Sequence, residues 1–237
     1  MIHTDEGYAR GEYYSLPVAA DRNRKEFDIK NHSLIFMKKQ PDILFIGDSI
    51  TEYWELGAYF QTPGQLIINR GIGGDTTEYL KRRFYEDAVQ IHPKHCILGI
   101  GINDSADLEG DYWKRLLPRN YDELLSSVKA NIASILEMSK KAEIPLILTS
   151  LLPIDIPIQR HVAMRKRYIL ELNEWLKDAA KRDGLIFVDY YPHFLAENSR
   201  DQLLVHLTYD GLHPNAKGYA RMADVLRETL GKHGIVI

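Results

Sequence analysis

The residues best suited to acyl-transfer chemistry fall in four short turns: Gly47-Asp48-Ser49, Gly73-Gly74-Asp75, Gly101-Ile102-Asn103-Asp104 and Asp210-Gly211-Leu212-His213. They offer a hydroxyl, a glycine N–H, a side-chain amide, and a carboxylate three residues before an imidazole. A serine nucleophile needs a base, the base needs an orienting acceptor, and a tetrahedral oxyanion needs hydrogen-bond donors. Gly74 lets the backbone come close to a substrate with its N–H bare, and Asn103 can offer its amide from a second direction. Loss of one such donor typically costs about 2.7–4 kcal/mol of transition-state stabilisation, so the donors rival the triad in weight. Each group also has a plain reading. Ser49 could simply cap a helix, and Gly73 and Gly74 could serve only their turn, which is the preferred use of Gly73. Asp48 and Asp75 read as turn and cap residues rather than acids. Arg70 either meets an anionic substrate group or pairs with a surface acid, the second being preferred.

The elements around these turns must bring them to one place. The continuous apolar run Ile43 to Ile46 predicts a strand buried on both faces, as in a parallel sheet, with Gly47 ending it and a helix opening after Ser49. Further strands are predicted at 66–69, 95–101, 145–149 and 185–189. Helices are predicted from about Ala20 to Lys39, from Asp75 or Thr76 to Gln90, from Tyr121 to Lys141, from Gln159 to Arg182, and from a cap at Asn215 to about Leu230. Strands alternate with helices, which predicts a three-layer α/β/α sandwich around a parallel sheet of about five strands. In a parallel sheet the carboxyl ends share one edge, so turns distant in sequence converge there. The chain is expected to form a single domain, 1–237, with residues 1–19 an extended arm rich in tyrosine and 105–120 a polar insertion. The basic residues Arg22, Arg24 and Lys25 alternate with acids and are expected on a solvated face.

Composition removes several other functions. A hydrophobic content of 45% and a charged content of 27% are ordinary for a globular protein, and a net charge of −3 gives no electrostatic case for nucleic acid. Gly99, Gly101 and Asp104 follow a strand with dinucleotide-like spacing, but a charged last position departs from the glycine or alanine that close helix packing requires. His92 and His95 flank Pro93, and His193 and His206 lack neighbouring ligands, so no metal or organic cofactor is expected. Cys96 sits in an apolar run and reads as a small core residue. The first ten residues carry acids and no apolar core of a signal, and no run is long enough to span a membrane; the expected compartment is the cytoplasm.

The four blocks, together with the run Asn69 through Thr76, resemble those of the GDSL-type SGNH hydrolases, in the family's order and over about residues 42–231. The resemblance implies a flavodoxin-like fold, with Ser49 as nucleophile and His213 as a base oriented by Asp210. It also implies an oxyanion hole of the Ser49 N–H, Gly74 and Asn103. The Phe45-Ile46-Gly47-Asp48-Ser49 and Asn69-Arg70-Gly71-Ile72-Gly73-Gly74-Asp75 stretches look closest to the branch holding platelet-activating-factor acetylhydrolase-like proteins and bacterial carbohydrate acetylesterases. The arm and the 105–120 insertion depart from the core pattern.

The expected function is a serine esterase acting on a small-molecule ester, most simply a short acyl group such as acetyl on a sugar. Lysophospholipid or thioester cleavage is the runner-up, since the same groups accept any acyl carbonyl. A binding module for a carbohydrate or anion is the rival from another class, although binding alone needs no base beside a nucleophile. Tyr13, Tyr14, Tyr112 and Trp113 could anchor a homo-oligomer, with packing inside one subunit the preferred use.

Overall fold

A computed structural model describes residues 2–3, 9–10, 19–110, 116–157 and 161–237. Five parallel strands form the main sheet: β1 (Ile43–Gly47), β2 (Ile67–Gly71), β3 (His95–Gly99), β4 (Leu146–Thr149) and β5 (Ile186–Val188). Their order is β2-β1-β3-β4-β5, the winding of flavodoxin-like sheets, with helices on both sides as the alternation predicts. Every residue of β1 is buried, in keeping with a strand covered on both faces. The register pairs Gly47 with Gly71 on one side and with Gly99 on the other, so three strands end level with one another.

The helices are α1 (Ala19–Phe36), α2 (Ser49–Glu52), α3 (Leu56–Tyr59), α4 (Thr77–Phe84), α5 (Tyr121–Lys141), α6 (Val162–Asp183) and α7 (Ala216–Gly231). α5 matches its predicted span because Leu124, Val128, Ile132 and Ile135 recur at helical spacing and are all buried. Gly184 ends α6 in the left-handed conformation at φ +67°, as a glycine after a long helix should. α4 differs from expectation: its last stretch, Tyr85–Val89, widens into a π-helix that turns Glu86 and Asp87 inward. The loop expected at 190–209 contains short 3-10 turns at Tyr191–Phe194 and Val205–Leu207. In the arm, Ile2–His3 pairs antiparallel with Ala9–Arg10. Tyr8, Tyr13, Tyr14, Tyr112 and Trp113 lie outside the described residues.

The chain divides into two compact units. One comprises residues 1–56, 63–100 and 131–146; the other comprises 57–62, 101–130 and 147–237. In the first, α1 meets the π-helix through Asn31, whose side-chain amide donates to the Glu86 carbonyl at 3.0 Å and to Asp87 at 3.0 Å. Arg24, one face-repeat away on α1, is buried and ion-paired with Asp87 and Asp28. The solvated face expected for Arg24 is therefore wrong, because the buried Asp87 carboxylate of the π-helix, packed against the same face of α1, draws it inward.

Candidate functional site

In the first unit, β1 leads into α2 through Gly47, Asp48 and Ser49. Asp48, not Ser49, is the helix cap: its side chain accepts the Ile50 N–H at 2.9 Å. Ser49 is thereby released from the capping role and becomes the first residue of α2, 5% exposed. Two glycines let this helix seat on the sheet. A Cβ on Gly71 would stand 2.2 Å from the Glu52 nitrogen, and one on Gly47 would stand 2.5 Å from the Thr51 Oγ1. Asn69 completes the seat, donating to the Thr51 carbonyl at 2.7 Å and the Trp54 carbonyl at 3.2 Å while accepting the Gly71 N–H at 2.8 Å. With those carbonyls taken up from the side, α2 stops after one turn.

The glycine-rich turn after β2 belongs to the same unit. Gly74 is exposed and holds φ +78°, a conformation that disfavours a side chain. Its neighbour Gly73 donates its N–H to Glu52 Oε2 at 2.8 Å, so the helix that begins at Ser49 also fixes this turn. Asp75 is buried and ion-paired with Arg83 at 2.8 Å while accepting the Thr76 N–H. Asp75 is thus a partner for a cation, and the cap position of α4 falls to Thr76. Arg70 likewise corrects the surface pairing expected of it. It is buried, donates to Asn31 at 2.9 Å and to the Asn69 carbonyl at 2.8 Å, and lies over the Phe27 ring.

In the second unit, Asn103 precedes the 3-10 turn Asp104–Leu108 and is half-buried. α6 secures this block from below: the Tyr168 hydroxyl donates to the Gly101 carbonyl at 2.8 Å, and Arg165 donates to Ser105 at 2.9 Å. Gly101 stands at φ +124°, and a Cβ there would press to 3.0 Å from Leu172. The last block is built by short-range bonds. Asp210 Oδ1 accepts the N–H groups of Leu212 at 3.0 Å and His213 at 2.8 Å, and Asp210 Oδ2 lies 2.7 Å from His213 Nδ1. Partial burial pushes the Asp210 carboxyl up, but the two N–H groups and the imidazole outweigh it and hold it below its usual range. Gly211 has φ +82°, and its missing side chain admits the Asp155 carbonyl, which a Cβ would meet at 2.1 Å. Asn215 then caps α7, accepting from Lys217 and Gly218, while its amide holds the carbonyls of His206 and Thr208.

Asp210 and His213 are therefore in direct contact, and Ser49 and the Gly73–Gly74 turn are coupled through Glu52. Glu52 and Arg83 are the supporting residues that composition and motif reading passed over. The signal for Glu52 was its place three residues after Ser49 on a helix. For Arg83 it was the spacing Asp75-x7-Arg83-x3-Asp87, two acids within reach of one guanidinium.

Residues 45–221 match the model of the GDSL-like lipase/acylhydrolase family. Among solved structures, a GDSL-like lipase from Bacteroides thetaiotaomicron is 30% identical, with a TM-score of 0.71 over 88% of this chain and 97% of that one. The human platelet-activating factor acetylhydrolase IB subunit alpha2 is 25% identical over 199 residues, covering 81% of this chain and 77% of its own. An acetylxylan esterase from Geobacillus stearothermophilus is 26% identical over 215 residues, covering 80% and 93%. The chain belongs to the GDSL-like lipase/acylhydrolase family, whose members are carboxylic ester hydrolases.

Proposed function

We propose that the protein is a serine esterase that removes a short acyl group, acetyl foremost, from a hydroxylated small molecule such as a sugar. Ser49 attacks the ester carbonyl, and His213 takes the serine proton and returns one to the departing alcohol. Water, activated by the same imidazole, then releases the acid and restores the serine. The oxyanion formed in each half is received by the N–H groups of Ser49 and Gly74 and by the Asn103 amide. The single observation that carries this reading is the His213 Nδ1–Asp210 Oδ2 contact at 2.7 Å. It leaves Nε2 as the basic nitrogen, the arrangement a general base needs. Support for an acetyl group comes from two relatives, named as an acetylhydrolase and as an acetylxylan esterase.

A ladder of p-nitrophenyl esters, run beside acetylated xylose oligomers, tests the substrate. The expected result is the highest kcat/KM at acetate and release of acetate from the oligomers. A maximum at long acyl chains, where each further buried CH₂ adds about 0.8 kcal/mol, would contradict it.

A further inference from the structure

The Arg83 guanidinium is fully buried, with side-chain exposure of 0%. Five N···O contacts match its five N–H donors. Nε and Nη2 face Asp75 Oδ2, each at 2.8 Å, and Nη2 also donates to the Gly47 carbonyl at 3.0 Å. Nη1 donates to the Arg70 carbonyl at 3.0 Å and to Asp87 Oδ2 at 2.9 Å. Burial alone would pull its pKa down; the Asp75 and Asp87 carboxylates outweigh that and raise it, so the group stays charged.

The acceptors are placed with respect to two reacting segments. Gly47 is two residues before Ser49, Arg70 leads into the glycine turn, and Asp75 directly follows Gly74. One rigid planar cation thus ties down the strand end that delivers the nucleophile and both flanks of the turn that delivers an oxyanion donor. A site that stabilises charge only in the transition state depends on donors being in place beforehand, and a displacement of about 1 Å can cost about 100-fold in rate.

We propose that Arg83 is a positioning residue for catalysis: it sets the position of the Gly74 N–H relative to Ser49, with Asp75 as the handle on the turn. This rests on the esterase reading given above. The side chain touches no substrate and acts through the backbone it holds. Lysine in its place would keep the charge but present three donors from a single point, too few and too narrowly placed for these four groups.

The test compares Arg83→Lys and Asp75→Asn with Ile132→Ala, a change at a fully buried position on α5 that removes packing alone. Each is assayed for kcat and KM on p-nitrophenyl acetate well below its melting temperature, and for the rate at which a fluorophosphonate labels Ser49. The expected result is a fall in kcat of about 10- to 100-fold in both polar variants, with KM within about 2-fold and labelling slowed in parallel. Ile132→Ala, despite a lowered melting temperature, should keep its kcat. Wild-type kcat and labelling in folded Arg83→Lys would overturn the proposal. Should that variant not fold, the same outcome in Asp75→Asn would overturn it. Turnover that survives Ser49→Ala would instead refute Ser49 as the nucleophile, and the role of Arg83 with it.

Discussion

The Gly73 N–H donates to Glu52 Oε2 at 2.8 Å, which links the turn carrying Gly74 to the helix that begins at Ser49. The other carboxylate oxygen accepts from Asn23 at 3.0 Å, so the Glu52 side chain is held from two sides. On the proposed esterase reading, Ser49 and Gly74 follow separate strands, and this link keeps their spacing.

Glu52→Ala should lower kcat by up to about 100-fold with little change in KM, because what is lost is alignment in the transition state rather than substrate binding. Glu52→Gln retains an oxygen for the Gly73 N–H and should recover most of that rate. Steady-state kinetics on p-nitrophenyl acetate check both; equal loss in the two variants would point to the charge of Glu52 rather than its hydrogen bond.

Asp210 carries a sharper pH signature. Its carboxyl lies below the usual range in the folded chain, so the unfolded chain binds the proton first as pH falls. The stability this group contributes is complete above the unfolded value of about 3.9 and drains away as pH drops toward the lower folded value. Melting curves of wild type and Asp210→Asn should therefore differ most at neutral pH and converge below about pH 4. At neutral pH the same substitution should cut kcat by about 100- to 10,000-fold, since the imidazole loses the acceptor that orients it.

Gly211→Ala should damage both stability and turnover. The new methyl group meets the Asp155 carbonyl at 2.1 Å, and the positive φ of 82° is itself unfavourable for alanine. Conformational strain alone is worth about 1–3 kcal/mol, and relief of the clash would shift the turn that carries Asp210 and His213. Thermal unfolding and kcat measured on one preparation check the pair of effects.

Asn215→Ala removes the cap of α7 and the bonds to the His206 and Thr208 carbonyls together. Loss of a cap costs about 0.5–2 kcal/mol, and the two carbonyl bonds should bring the effect to the upper end of that span. Chemical denaturation checks the stability, with Asn215→Asp expected to retain the cap but not the amide bonds.

Much of the fold is legible in the chain because its signals are local. The apolar run of β1, the helical spacing along α5, the glycine closing α6 and the cap at Asn215 each need only a few neighbouring residues to be recognised. The Asp210–His213 contact is of the same kind, since a three-residue step within one turn brings the two side chains together. The buried ionic cluster is different. Arg24 meets Asp87 across 63 residues and Arg70 meets Asn31 across 39, while arginine by itself reads as a surface residue. Their burial follows only once β2, α1 and the π-helix have been brought together. The early stop of α2 is equally non-local, because Asn69 on another strand takes up the carbonyls that a longer helix would have used.

Whether the Ser49 hydroxyl forms the covalent bond, with His213 as its base, is tested most directly by mass spectrometry of a serine-directed fluorophosphonate adduct. Wild type, Ser49→Ala and His213→Ala would each be mapped by peptide and timed. The account predicts one adduct on the Ser49 peptide in wild type, none in Ser49→Ala, and labelling slowed by at least about 100-fold in His213→Ala. An adduct on another residue, or p-nitrophenyl acetate turnover undiminished in Ser49→Ala, would contradict it.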